Sequence, residues 1–133
     1  MAQVNVHTTY SNIGPVLALA PAVHSATVQG PAVDLLGFES VAFVVNTGAI
    51  VSAGDFGVTV QESDTDQPGD FADADSSVVD SNAPATLEAS STYKLGYRGH
   101  KRYVRLALTK AGGTSIAAGA SAVKGDPHLR PVA

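Results

Sequence analysis

Short apolar segments, separated by turns that contain Gly or Pro, run through most of this 133-residue chain. The strongest is Ser40–Asn46, a continuous apolar run that ends at Thr47-Gly48 and is typical of a strand buried on both faces. Phe56–Glu62 alternates between apolar and polar residues, as a strand with one buried face does. The recurrent turns favour a β-sandwich or a barrel. One domain is expected, because the chain is ample for a single core but short for two.

The other predicted strands are shorter or less regular. They are Ser25–Gln29, Ala32–Leu36, Thr92–Tyr97 and Lys101–Thr109. Thr114–Val123 is rich in Ala and predicts either a last strand or a short helix. Alternation along the clearest strands predicts one core made of Val41, Phe43, Val45, Phe56, Val58, Val60, Val104, Leu106 and Leu108.

The two ends of the chain depart from this pattern. Pro15 and Pro21 lie in an apolar, Ala-rich lead-in, where each fixes φ and removes a backbone donor. That lead-in has no basic residue before it and is shorter than a membrane span, so we expect neither a secretion signal nor a membrane segment. The predicted organisation is an extended N-terminal arm over residues 1–24, an all-β sandwich over residues 25–125 and an extended C-terminal tail over residues 126–133.

Charge is divided very unevenly along the chain. Residues 1–93 carry 11 Asp and Glu and no Lys or Arg, whereas residues 94–133 carry all 8 basic residues and 1 acidic residue. The first part therefore sums to −11 and the second to +7, which gives the net charge of −4. Such a division predicts electrostatic complementarity, either within the fold or with a partner.

Motifs for catalysis and metal binding are weak. The four histidines are far apart, no Ser lies in a G-x-S-x-G motif and there is no Cys, so we expect neither an enzyme nor a cofactor. The Asp-rich residues 62–80 come closest to a metal site, because Asp64, Asp66, Gly69 and Asp75 follow part of the EF-hand spacing. A proline takes one ligand position and no helices are predicted beside the loop. A solvated acidic loop is the simpler interpretation, and cation binding stays open.

Basic and aromatic residues are concentrated between Tyr93 and Arg105, where five cations and three tyrosines occupy 13 residues. Such a segment can bind nucleic acid, but the acidic chain and its acidic loop would repel a polyanion, so we expect no nucleic-acid partner. Arg and Tyr are also enriched at protein–protein interfaces. The predicted interface consists of Tyr97, Arg98, Lys101, Arg102, Tyr103 and Arg105.

A resemblance to a known family rests on three segments. They are Y-x-x-G-Y-R-G-H-K-R-Y-V-R-L from Tyr93, D-L-L-G-F-E-S-V-A-F-V-V-N-T-G from Asp34, and Gly-Asp-Phe at residues 69–71. Over Asp34–Leu108 the chain resembles the decoration or cement proteins of tailed-phage heads. The resemblance implies a jelly-roll sandwich without enzymatic activity, which forms dimers or trimers on the outer surface of the capsid. It also implies that the partners are the major capsid protein and further copies of this chain.

Two functions therefore remain, from different classes. The favoured hypothesis is a structural virion protein that binds the outer surface of the phage head and cements contacts between major capsid protein subunits. Because jelly rolls also serve as lectin domains, the alternative is a small β-sandwich module that binds carbohydrate or calcium. The absence of Trp weakens the carbohydrate version, although four Tyr can still stack on a sugar.

Overall fold

The computed structural model describes residues 9–129 and residue 132, and most of this part of the chain is β-strand. It contains a one-turn helix, two short 3₁₀ helices at Pro68–Asp70 and Ser76–Val78, and ten strands. In chain order the helix and the strands are α1 Thr9–Asn12, β1 Gly14–His24, β2 Val28–Gln29, β3 Val33–Asp34, β4 Phe38–Val51, β5 Asp55–Ser63, β6 Ala72–Asp73, β7 Val79–Ser81, β8 Thr92–Tyr97, β9 Tyr103–Gly112 and β10 Ser115–Pro127. No helix in the described residues has the length and hydropathy needed to cross a membrane.

The strands form two antiparallel sheets that pack against each other. The front sheet has the order β1-β10-β4-β8-β7, and the back sheet has the order β2-β9-β5-β6, with β3 also paired to β9. The partners are nested along the chain, since β1 pairs with β10, β2 and β3 with β9, β4 with β8, and β5 with β6. This nesting, divided alternately between two sheets, is the arrangement of a jelly roll. The expected single-domain all-β sandwich is confirmed.

The core lies between the two sheets. It is built mainly from the residues that the alternation of apolar and polar side chains predicted to face inward. Eight of the nine predicted core residues are buried, and Val58 is partly buried. The Ala-rich segment near the end of the chain is the strand β10 and not a helix. Its small side chains fit beside larger neighbours on β4, because Ala122 lies opposite Phe43 and Ala120 lies opposite Val45.

The second half of the expected N-terminal arm belongs to the front sheet. β1 pairs with β10 from Gly14 to His24, and Ala18 and Leu19 are buried in the core. Prolines are compatible with this position because β1 is an edge strand, which pairs on one side only. The sandwich therefore begins at Gly14 and not at residue 25, which corrects the predicted boundary. Residues 1–8 of the expected arm lie outside the described residues.

The sandwich also extends further toward the C-terminus than predicted. β10 runs to Pro127, two residues beyond the predicted end of the sandwich. After it the His128 N–H donates to the carbonyl of Gly37 (2.8 Å), and the Val132 N–H donates to the carbonyl of Ser11 (3.0 Å). Hydrogen bonds thus join the described part of the tail to the fold, while residues 130, 131 and 133 lie outside the described residues.

Candidate functional site

The outer side of the back sheet carries an ordered polar network. Tyr103 and Arg105 alternate with buried residues on β9 and point away from the core, as predicted. Arg105 Nε donates to Gln61 Oε1 (2.7 Å), and Gln61 Nε2 donates to Asp73 Oδ1 (3.0 Å). The Arg105 guanidinium also lies 4.4 Å from the centre of the Phe71 ring, within the range of a cation–π contact. Arg105 is therefore held by two neighbours on the surface that we call the back face.

Further charges gather at one end of the sandwich, where β5 and β8 end and β9 begins. We call this end, formed by residues 34–37, 64–71 and 98–102, the charged pole. Arg102 binds Asp34 with two parallel hydrogen bonds of 2.9 Å and 2.8 Å. Lys101 Nζ lies 2.8 Å from Asp64 Oδ2. The paired Arg102 guanidinium lowers the pKa of Asp34, although partial burial of the carboxyl opposes this shift.

Arg98 is the third cation of the charged pole. Its Nε lies 2.7 Å from Asp80 Oδ2, and its Nη2 donates to the carbonyl of Ser77 (2.9 Å). The hydrogen bond from Arg98 lowers the pKa of Asp80. Each of these Lys or Arg ion pairs joins a base from the second part of the sequence to an acid from the first. In the described residues, the complementarity predicted from the uneven charge is thus realised within the fold.

Tyr97 is a buried support for the charged pole. Only 5% of its surface is exposed, and its hydroxyl donates to Glu62 Oε1 (2.7 Å) and accepts the Lys101 N–H (3.1 Å). Burial, followed by the bond to Glu62, raises the pKa of Tyr97 to about 12. A Cβ at position 99 would lie 2.3 Å from the hydroxyl oxygen, so only Gly99 allows the loop to close over the ring. Tyr97 therefore positions the loop and is not exposed for a partner, which removes it from the predicted interface.

The other predicted interface residues are exposed or partly exposed, but they lie in two places. Arg98, Lys101 and Arg102 are near the charged pole, whereas Tyr103 and Arg105 lie on the back face. Each of the cations already contacts a side chain of its own chain. Contact between these residues and another protein remains a prediction.

The acidic loop does not gather its carboxylates. Asp64 takes part in the ion pair described above, Asp70 accepts the Thr65 hydroxyl (2.6 Å), and Asp75 accepts the N–H of Ser77 (2.9 Å). Asp66 accepts a hydrogen bond from Gln67 Nε2 (3.2 Å), so Asp64, Asp66 and Asp75 have separate partners. In the part of the chain that the structure describes, no group of three or more His, Asp and Glu is placed to hold a metal ion.

The outer side of the front sheet has a different character. Among the described residues, no Asp, Glu, Lys or Arg lies in β1, in residues 40–51 of β4 or in residues 115–123 of β10. Charge appears at the margins, with Lys94 on β8, Asp80 on β7, and the exposed Glu39 and Asp126 at one end of β4 and β10. Leu17 and Val23 of β1 are 53% and 70% exposed. We call this surface the front face, and its outward residues include Leu17, Val23, Ala42, Val44, Asn46, Ala117, Gly119, Ser121 and Val123.

The front face has a ridge beside a groove. Two bulges in β1 bend this edge strand, and Pro21 lies directly over Gly119, where a Cβ would be 2.9 Å from the Pro21 Cα. β1 thus stands above β10 as an apolar ridge. Between the ridge and β4 runs a shallow groove, whose lining includes Asn46, Thr47, Ala117 and Ser121.

Sequence reasoning missed the front face, although a signal for it was present. Residues 13–33, 40–54 and 111–123 contain no Asp, Glu, Lys or Arg, and they hold most of β1, β4 and β10. A strand with one solvated face normally alternates apolar and polar side chains. Three neighbouring strands that carry no charge over most of their length therefore indicate that their outer side is adapted to being covered.

Comparisons of this chain with protein-family models, with curated proteins and with solved structures found no match.

Proposed function

We propose that this chain is a structural protein of a tailed-phage head, which binds the outer surface of the assembled shell and stabilises contacts between major capsid protein subunits. It acts as part of an assembly and not on a small-molecule substrate. It is located in the virion, and its partners are the major capsid protein and further copies of itself.

The observation that carries this proposal is the front face. The chain is acidic, with 12 acidic and 8 basic residues, yet three adjacent strands leave most of their common outer surface without charge. Monomeric proteins rarely expose large apolar patches, and depletion of charge is the compositional mark of the centre of a protein–protein interface. Such a surface fits a protein that works while covered by another protein.

Two further observations favour a capsid over other assemblies. The jelly roll recurs in viral capsid proteins, although the fold alone does not decide function because it also serves lectins. The sequence resemblance to head decoration proteins covers Asp34–Leu108, which includes most of the back sheet and the charged pole. These two regions hold the predicted interface residues, and together with the front face they are the surfaces that we assign to contacts within the assembled shell.

The direct test is attachment to phage heads that lack this protein. Purified chain is mixed with heads assembled from the major capsid protein of the phage that encodes it, and the heads are then sedimented. We expect saturable binding at a fixed number of copies per head, and decorated heads that withstand heat better than bare ones. Absence of binding to both immature and expanded heads would contradict the proposal.

A pair of variants on β9 tests the assigned contact surface. Arg105→Ala removes a predicted interface residue, and Lys110→Ala removes a basic residue at the opposite end of the same strand. We expect Arg105→Ala to weaken head binding several-fold and Lys110→Ala to leave it unchanged. Equal binding by the two variants would remove Arg105 from the contact with the shell.

A further inference from the structure

We propose that residues 64–81 form a strap, which closes one side of the sandwich and can open by itself while the two sheets stay folded. The strap follows β5 directly and includes β6 and β7. Two ion pairs hold its ends, Lys101 with Asp64 and Arg98 with Asp80. We call these two ion pairs the latches.

The strap passes from one sheet to the other. As β6 it pairs with the end of β5 in the back sheet, and as β7 it pairs with β8 in the front sheet. The Ala74 N–H donates to the carbonyl of Val60 on β5 (2.9 Å), and the Arg98 N–H donates to the carbonyl of Val78 (2.6 Å). The strap thus covers the side of the sandwich on which β5 and β8 would otherwise be edge strands.

The opposite side of the sandwich is closed in a different way. There Gly30, which lies between β2 and β3, is buried and donates its N–H to the carbonyl of Leu106 (2.7 Å). A Cβ at position 30 would lie 1.8 Å from the carbonyl oxygen of Ala18 on β1, so the edges of the two sheets are in direct backbone contact. Ala18 is itself fully buried. Opening this side would therefore disturb the core.

The strap has little apolar burial of its own. None of its residues is fully buried, and the four that are partly buried are Phe71, Ala74, Val78 and Val79. Segments with few buried apolar contacts open at a lower free energy than the core that they cover. The side closed by the strap is therefore the side of the sandwich that opens first.

Charge makes the strap depend on its latches. The strap contains six Asp and no Lys or Arg, so its carboxylates repel one another. Lys101 and Arg98 each bind one of these carboxylates, one at each end of the strap. Arg105 adds a cation–π contact with Phe71 between them. Repulsion within the strap favours the open state, and the cations that flank and follow the turn between β8 and β9 favour the closed state.

Opening of the strap changes two parts of the surface. It uncovers the edges of β5 and β8, and it frees Arg98 and Lys101, which are both predicted interface residues. In this second respect alone the inference rests on the proposed function, because it makes the strap a competitor for cations that are assigned to contact with the shell.

Hydrogen exchange of the free full-length chain, followed by NMR, tests the strap at two backbone amides. The Ala74 N–H joins the strap to β5, and the Gly30 N–H lies on the opposite side. Their protection factors are compared after correction for the intrinsic exchange rate of each amide. In the parent we expect Ala74 to be less protected than Gly30 by about tenfold or more. Equal protection of the two amides would mean that the strap opens only when the whole domain unfolds, and would overturn the proposal.

Removal of the two latches tests what holds the strap. Arg98→Ala combined with Lys101→Ala should lower the protection of Ala74 relative to Gly30 by about threefold or more, as the loss of two exposed ion pairs predicts. Lys94→Ala combined with Lys110→Ala is the matched control, because it removes the same net charge outside the latches. We expect the control to leave the ratio unchanged. The same ratio in both double variants would overturn the role of the latches.

Reversal of one latch distinguishes a lost ion pair from a disturbed fold. Lys101→Asp alone places two carboxylates together and should lower the protection of Ala74. Adding Asp64→Lys restores opposite charges and should return the protection to within about twofold of the parent. Failure of this restoration would overturn the latch. Phage heads are absent from these experiments, so failure of the strap and failure of the capsid function are read from separate measurements.

Discussion

The two outer surfaces of the sandwich are built on similar strands but differ in their content of charged residues. On the back face and at the charged pole, Arg102, Arg105 and Lys101 are each held by a specific partner, and two of the three partners are carboxylates. On the front face, β1 and residues 40–51 and 115–123 of β4 and β10 carry no Asp, Glu, Lys or Arg. The ion pairs thus lie at the charged pole and beside it, whereas most of the front face carries no charge.

The difference explains why the uneven charge of the sequence does not by itself identify an interface. Basic residues that lie beside acidic ones in the fold already form ion pairs within the chain. Exposed ion pairs contribute little to stability. Desolvating such pairs against a partner is costly unless new hydrogen bonds replace those to water. A face without charge has no such penalty. The comparison therefore marks the front face, and not the segment richest in Arg and Tyr, as the surface whose covering would desolvate the fewest charged groups.

The largest expected effect separates the inner from the outer side of the front sheet. Phe43 is fully buried, whereas its neighbour Val44 on β4 points outward. Phe43→Ala should lower the free energy of unfolding by about 3–5 kcal/mol, because it leaves a cavity between the sheets. Val44→Ala should cost less than about 1 kcal/mol in the monomer, since its side chain is not enclosed by its own chain.

Urea unfolding at a low protein concentration measures both values. Equal losses for the two variants would contradict the assignment of Val44 to an outer surface. A loss below about 1 kcal/mol for Phe43→Ala would contradict the position of β4 at the centre of the core.

The sequence predicted the fold better than it predicted which surface of the sandwich lacks charge. Alternation on β5 and β9 located the core, because the period of two is a direct consequence of strand geometry. Pro15 and Pro21 led to the prediction of an arm, since local rules cannot show that an edge strand accommodates them. The pairing of Arg102 with Asp34 joins residues from distant parts of the chain, and only the register of β3 on β9 brings them together.

The second prediction concerns Tyr97, which links the core to the charged pole. Tyr97→Phe removes the bond to Glu62 and the acceptor of the Lys101 N–H, and should cost about 1–2 kcal/mol of unfolding free energy. Because the pKa of Tyr97 is raised from 10.0 to about 12, the folded state favours the neutral phenol. This contribution to stability is complete below pH 10 and is lost as the pH rises toward about 12.

Ultraviolet titration of the tyrosines measures this shift directly. The parent should show a step in absorbance near pH 12 that is missing in Tyr97→Phe. Glu62→Gln keeps an acceptor for the hydroxyl but removes the negative charge, so the step should move to lower pH. An unchanged titration curve in Tyr97→Phe would show that this phenol is not held as the structure places it.

The smallest effect concerns the ion pairs of the charged pole, which acid should weaken. The pKa of Asp34 is lowered from 3.8 mainly by the hydrogen bond from Arg102. A group whose pKa is lower in the folded than in the unfolded state adds stability above the unfolded value and loses it as the pH falls through the folded value. Asp34→Asn should therefore lower the melting temperature slightly at neutral pH, and its difference from the parent should shrink below about pH 4.

Asp126→Asn is the matched control, because Asp126 is exposed and forms no ion pair within the described residues. Both variants remove one negative charge, so any general effect of net charge is the same for each. Only Asp34→Asn removes a carboxylate that Arg102 binds with two hydrogen bonds. If the difference between the two melting temperatures persisted unchanged well below pH 3, Asp34 would stabilise the turn through packing or its bond to the Leu36 N–H and not through its charge. The front face, which has no carboxylate on β1 or on residues 40–51 and 115–123 of β4 and β10, would then no longer be set apart from the charged pole by ion pairing.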